Sequence, residues 1–311
     1  MFTGFKAIAP GFSHKDMSFC QDAVDVILLG DEKRIGIALV ADGHGSKRHF
    51  RSDQGAKLAV KVAKEAITQF IEITERKHVV FWDKHTRGNP KKIDETLKQL
   101  ESNIIYCWRE AVLQNIKINP FTKEERSICT ENNIDTENEN DLVAIYGSTL
   151  LGAVITEQFW FAIQIGDGAC VVITDQGKAE VGMPEDRRLE FGRTTSLCNT
   201  DALESFRYNF GNHIVGITVA SDGVTDSFIP DKYTDFNMQL LKKFVAYPDL
   251  AERHLQQFLP KLSERGSNDD VSLAGIFNLA QGKHILNALQ AEEPSGDPTE
   301  YGDYCTPDTV G

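Results

Sequence analysis

The stretch Ile35–Gly45, IGIALVADGHG, is the feature that most narrows the possible folds. Ile35, Ile37, Ala38, Leu39 and Val40 form a nearly unbroken apolar run, as expected of a strand buried on both faces. The run stops abruptly at Asp42-Gly43-His44-Gly45. An acid at such a strand end is carried by rigid backbone, and the glycines beside it let a ligand come close to the main chain. An Asp-Gly pair also marks hairpin turns. Here no second strand follows: residues 46–53 are polar and basic, and a helical pattern begins after them.

The same ending recurs. ALVADG (Asp42), AIQIGDG (Asp167) and TVASDG (Asp222) each close an apolar run, and a fourth run starts directly after Asp269-Asp270. Asp167 lies between two strand signals, where a plain hairpin turn is the simpler reading. None of these strand-end acids has a matching Arg or Lys beside it. Carboxylates gathered at ~4 Å repel by about 4 kcal/mol per pair at an effective dielectric of about 20, a cost that a bound cation offsets. With oxygen ligands and no Cys or His cluster, Mg2+ or Mn2+ is favoured over zinc.

Composition sets the outer limits. The 311 residues, 41% hydrophobic and 25% charged, suit a globular protein with a sizeable core. A net charge of −13 disfavours nucleic acid and anionic membrane as partners, while a surplus of carboxylates suits hard cations. Six cysteines are scattered without a CxxC pair, which argues against a zinc site or disulfide framework and for a reducing compartment. The N-terminal MFTGFKAIAPGF lacks the charged start and apolar core of a secretory leader, and no window reaches ~18 apolar residues, so a cytoplasmic location is expected.

Residues 11–22 read as a loop, and Ala23–Leu29 as a strand turned back by Gly30-Asp31-Glu32 into the Ile35 strand, an antiparallel hairpin. Ser52 is placed to cap a helix with the apolar face Leu58, Ala59, Val62, Ala66, Phe70 and Ile73. After a break at 75–89, Pro90 opens a second helix with Ile93, Leu97, Leu100, Ile104, Trp108 and Val112 on one side. Residues 119–140, poor in large apolar side chains, read as an exposed, mobile loop insertion. Strand signals at 148–156, 158–164 and 169–174 are joined too tightly for crossovers and predict a meander. Residues 180–212 read as irregular, 214–220 as a buried strand, 238–245 and 250–262 as helical, and 271–277 as the strand that closes the core. Antiparallel strands interrupted by helix pairs mean an α+β fold with helices on the faces of the sheets. A single domain is expected over 1–290, with an acidic disordered tail at 291–311.

CQD at 20–22, VADGHG, GSTLLGAVI followed by IGDG, ASDGVTD and SNDDVSLAGI occur in the order and spacing of a known family. The chain resembles the metal-dependent protein Ser/Thr phosphatases of the PP2C (PPM) type over about Gly11 to Phe277. The resemblance implies an antiparallel β-sandwich flanked by helix pairs, in α-β-β-α layers, with a two-metal site at one end of the sheets. It implies hydrolysis of phosphoserine and phosphothreonine in proteins by a hydroxide bridging two Mg2+ or Mn2+ ions, the partner being a cognate Ser/Thr kinase or its targets. Asp42 resembles the acid that bridges both ions, and Gly43 the residue whose carbonyl joins it. Asp222 and Asp269 resemble the remaining direct ligands, with Asp270 competing for the place of Asp269. Asp22 resembles the acid holding a metal-bound water, and Gln21 stands where many members carry Glu. His44 resembles the general acid. Asp167, with Asp222 and Asp226, resembles the acids of a third ion; the four-residue spacing of Asp222 and Asp226 would put both on one side of a helical turn.

Elementary chemistry points the same way. A phosphomonoester dianion repels hydroxide, and two divalent ions ~3.5–4 Å apart neutralise it and acidify a water. Histidine is the side chain suited to protonating a departing alkoxide at neutral pH. No Ser or Cys nucleophile with a partnered base stands out, so no covalent intermediate is expected. Many relatives hold the phosphate with an arginine shortly before the first acidic pair. Ser13-His14-Lys15-Asp16-Met17 has none, which leaves His14 or Lys15 for that role and, failing them, Arg48 or Arg51. Two other readings compete. One is a pseudophosphatase that binds phosphoprotein without turnover, whose mark would be lost metal acids. The other is a different two-metal phosphoester hydrolase such as a nuclease, which the charge and the lack of a basic groove disfavour.

Overall fold

Period-two alternation resolves the apolar run into two buried faces. In β3 (Ile35–Ala41) every residue is buried. Ile37, Leu39 and Ala41 join one core cluster, Ala38 and Val40 another. The computed structural model describes residues 1–14, 20–76, 90–186, 188, 194–229 and 232–290. β3 lies in an antiparallel sheet ordered β2 (Ala23–Leu29), β3, β4 (Leu150–Thr156), β5 (Phe159–Ile165), β8 (Arg207–Asn212). A second antiparallel sheet runs β1 (Thr3–Ala9), β10 (Val271–Phe277), β9 (Ile214–Ala220), β6 (Ala169–Thr174), β7 (Ala179–Val181). The expected β2–β3 hairpin is present, in register from Ala23↔Ala41 to Leu29↔Ile35.

Four layers result. Helices α1 (Ser52–Arg76) and α2 (Pro90–Ile118) cover the outer face of the first sheet. On the outer face of the second lie α7 (Lys232–Ala246), α8 (Pro248–Arg265) and α9 (Leu279–Gln290). The inner faces meet over Val40, Leu151, Ile217, Val219 and Ile276. This is the α+β sandwich the sequence led us to expect.

Helix α2 buries all six residues of its expected face. Helix α1 buries Ala59, Val62 and Ala66 of its expected face, with Leu58 and Phe70 packed against the core, but the buried stripe also takes in Ala56, Ala63 and Ile67, while Ile73 is 43% exposed. Ser52 opens the helix rather than capping it. The Arg51 carbonyl accepts from Gln54 and Gly55, and the Ser52 hydroxyl accepts from Gln21 Nε2 at 2.8 Å.

Three expectations need correction. Residues 119–140 are no loop: they carry α3 (Lys123–Glu131), closed by a Thr122/Glu125 capping box, and the start of α4 (Glu139–Ala144), capped by Asn138. The segment is held by a few apolar residues, Cys129 and Ile134 being buried in the core, and by an ion pair, with Arg51 Nε and Nη2 donating to the two Glu125 oxygens at 2.7 and 2.8 Å. The predicted meander is also wrong. β5 pairs with β4, but β6 joins the other sheet beside β9, so Gly166-Asp167-Gly168 is a corner between sheets rather than a hairpin. Finally, the stretch read as irregular contains α5 (Ala202–Ser205) and the edge strand β8, while β1 and α9 had no counterpart in the sequence reading. The expected tail at 291–311 and most of the expected break, 77–89, lie outside the described residues. Among the described residues no helix is long and apolar enough to cross a membrane.

Candidate metal and phosphate site

Backbone pairing carries the acids to one end of the sandwich. Just past β3, the Thr149 N–H donates to the Asp42 carbonyl at 2.8 Å and the His44 N–H to the Gly147 carbonyl at 3.1 Å. These bonds flank the Gly43–Ser148 bridge and leave the carbonyl of Gly43 outside the ladder. A Cβ at Gly43 would stand 2.7 Å from the Ser52 carbonyl oxygen and 2.8 Å from that of Gln21, so the close approach admits only glycine. Asp222 follows β9 as the first residue of the single turn α6 (Asp222–Thr225). Asp167 occupies the corner between the sheets. One carboxylate oxygen from each of Asp42, Asp167 and Asp222 lies within 4.8 Å of the others. These three acids, with Asp269, His44, His49, Gln21 and Asn199, line a cavity of about 640 Å3.

Burial, and next the charge of neighbouring acids, raises the pKa of Asp42, Asp222 and Asp22. Burial, then the charges of Asp22 and Asp222, holds the Asp42 carboxyl well above the usual carboxylate range. Asp222 is pushed up to about 6 by burial and then by Asp167. Asp22 is 3% exposed, and neither of its oxygens has a well-aligned hydrogen-bond partner among the described residues. Burial raises it to about 7, against the opposing effect of the Ser272 and Ser221 hydroxyls. A buried acid without partners beside a cavity lined by closely spaced carboxylates is an arrangement that a hard divalent cation would compensate. The donor set fits such an ion.

The two acids of Asn268-Asp269-Asp270 separate cleanly. Asp269 lines the cavity. Asp270 is buried and accepts the backbone N–H groups of Gly11 and Gln21, each at 2.6 Å. Asp226 lies one helical turn beyond Asp222, donating its N–H to the Asp222 carbonyl at 2.7 Å, and is not among the residues lining the cavity. Its carboxyl is nevertheless raised by desolvation and then by Asp167 and Asp269. The structure therefore brings Asp42, Asp167, Asp222 and Asp269 to one cavity, with the buried Asp22 and the adjacent Asp226 within electrostatic reach.

Burial, and next the charge of His49, lowers the His44 pKa to about 4. His49, absent from the sequence reading, packs its ring against His44 with centroids 5.0 Å apart. Its spacing of five residues from His44 offered no recognisable signal. The Thr194 hydroxyl donates to Asp167, a partnership equally hidden in sequence.

Of the phosphate-binding candidates, Arg51 is excluded by its surroundings. It is buried, forked onto Glu125, bonded to Tyr146 Oη at 2.8 Å and stacked on Phe121. Arg48 pairs with Asp141 at 3.0 Å and does not line the cavity. Lys15 and the His14 side chain lie outside the described residues. The backbone next to them is fixed at the cavity mouth, where the Ser13 N–H and hydroxyl both donate to the Asn268 carbonyl, at 3.1 and 2.7 Å.

A family profile for protein phosphatase 2C matches residues 11–260, so the chain belongs to the protein phosphatase 2C family. Its fold is similar to that of a bacterial serine phosphatase, at 14% identity and TM-score 0.52 over 89% of this chain and 98% of that one. It is also similar to the serine/threonine phosphatase Stp1 from Staphylococcus aureus, at 16% identity and TM-score 0.51 over 89% and 95% of the two chains. The catalytic domain of the serine threonine protein phosphatase PstP, solved with 2 manganese ions, matches at 16% identity and TM-score 0.51 over 89% and 97%. At such identities the likeness speaks to the fold. No curated protein matches the sequence.

Proposed function

We propose that the protein removes phosphate from phosphoserine and phosphothreonine in other proteins, by attack of water at phosphorus in a site that would hold two divalent ions. The observation that carries this reading is the convergence of Asp42, Asp167 and Asp222 within 4.8 Å from three separate strand ends. Asp42, Asp222 and Asp269 would hold one ion, Asp42 and the carbonyl of Gly43 the second, and Asp22 would orient a water beside them. Bound Mg2+ or Mn2+ supplies charge neutralisation for the phosphate and acidity for the attacking water. His14 or Lys15, flanking the anchored Ser13, would hold the phosphate. His44 would protonate the departing serine or threonine oxygen. Burial keeps its imidazole neutral, and an incoming phosphate dianion acts in the opposite direction, raising its proton affinity.

The retained acids weigh against a pseudophosphatase, and the −13 charge against a nuclease. A phosphorylated kinase or its target is the partner we infer, in a reducing cytoplasm that suits the free thiols Cys20, Cys107, Cys129, Cys170 and Cys198. Phosphate release from phosphothreonine and phosphotyrosine peptides, with Mn2+, with Mg2+ and with chelator, tests the reading. Metal-dependent release from phosphothreonine is expected, and release that persists in excess chelator would refute it.

A further inference from the structure

His44 lines the cavity, yet its ring has no hydrogen-bonding partner among the described residues. It is set by packing, and what it packs on is His49, with ring planes tilted by 56°. His49 is anchored twice. Its backbone N–H donates to the Ser46 carbonyl at 2.9 Å, and its Nδ1 lies in hydrogen-bonding contact with the Ala144 carbonyl at the end of α4. A carbonyl oxygen only accepts, so Nδ1 carries the proton and Nε2 keeps its lone pair.

The connection from α4 to β4 closes around both rings. A Cβ at Gly147 would stand 2.6 Å from His44 Cδ2 and 2.7 Å from His49 Nδ1. Only a residue without a side chain lets the two imidazoles meet there, and the Gly147 carbonyl also takes the His44 N–H. Backbone and side chain of His44 are thus both referred to one short segment, residues 144–147.

We propose that His49 is the positioning residue for His44: pinned to the Ala144 carbonyl, its ring fixes the imidazole that gives a proton to the leaving oxygen as the P–O bond breaks. This rests on the reading of His44 as general acid, and its consequence depends on the leaving group. A serine alkoxide needs that proton, whereas p-nitrophenolate leaves without one.

The test compares a phosphoserine peptide with p-nitrophenyl phosphate, both with Mn2+, in wild type, His44→Ala, His49→Ala and the double variant. His49→Ala should lower kcat for the peptide about tenfold more than for the aryl ester, with KM for the peptide unchanged. Combined with His44→Ala it should add no further loss. Imidazole 15N spectra of the wild-type protein should show His49 as the Nδ1–H tautomer. Equal losses on both substrates, an additive double variant or an Nε2–H tautomer at His49 would each overturn the proposal. Failure of the phosphatase reading would show separately, as a wild-type protein that turns over neither substrate, and would remove the proposal with it.

Discussion

Asp270 Oδ2 accepts the backbone N–H of Gln21 at 2.6 Å, tying together residues 249 positions apart. The other oxygen takes the Gly11 N–H at the same distance. One buried carboxylate thereby closes the N-terminal loop over the last strand, while its neighbour Asp269 faces the cavity. Asp270→Ala should cost about 3 kcal/mol of stability, because the buried Gly11 N–H and the half-buried Gln21 N–H lose a charged acceptor. Asp269→Asn should leave stability intact and reduce turnover and metal affinity. Urea unfolding of both variants, beside their Mn2+-dependent rates, separates the two roles.

Arg51 belongs to the scaffold rather than to substrate binding. Its fork on Glu125 locks α3 over the start of α1, with side-chain exposures of only 10% and 20%. Arg51→Ala should destabilise by about 3 kcal/mol, since Glu125 loses its partner and the Tyr146 and Phe121 contacts go with it. KM for an aryl phosphate should stay at the wild-type value below the unfolding temperature. A large rise in KM would return Arg51 to the phosphate site.

Glu101 gives the stability a pH dependence unrelated to the site. It is 1% exposed, its Oε1 has no hydrogen-bond partner among the described residues, and burial raises its pKa to about 8. Between its unfolded pKa of about 4.3 and that raised value the folded chain holds a proton that the unfolded chain has released. Stability from this group is therefore full below the window and falls as pH rises through it, by at most about 1.4 kcal/mol per unit. Glu101→Gln should flatten that slope and be the more stable protein at pH 8 by urea unfolding. A slope unchanged by the substitution would show that Glu101 is not its source.

Much of this architecture was legible because burial imposes period. The six-residue face of α2 and the two-sided burial of β3 follow from spacing alone. The acids could be recognised because each closes an apolar run. What stayed hidden depends on long-range partners. α3 buries little apolar surface beyond Cys129, and its ionic partner Arg51 lies 74 residues earlier. Strand β1 buries Phe5, Ala7 and Ala9 in alternation, a weak signal when two of three are alanine. The corner at 166–168 has the local chemistry of a hairpin, and only the pairing of β6 with β9 shows that the chain changes sheets there. That change of sheet is why Asp167 faces Asp222 at all.

Asp167 supplies the next prediction. Placed at the corner and hydrogen-bonded by Thr194, it joins Asp42 and Asp222 but comes from neither of their strands. Asp167→Ala should leave tight binding of two ions intact by calorimetry, lower kcat and move the optimum to higher metal concentration, as loss of a weaker third ion would. Unchanged kcat and metal dependence would reduce the site to two ions.

The central claim is that the carboxylate cluster holds the ions on which turnover depends, and Asp42 is the acid that would be shared by both. The direct measurement is calorimetric Mn2+ titration of wild type and Asp42→Asn, paired with phosphothreonine-peptide hydrolysis on the same samples. Tight binding and turnover in the wild type are expected, with both lost in a variant that still unfolds cooperatively. Wild-type turnover by Asp42→Asn, or turnover by the wild type that survives excess EDTA, would contradict the account.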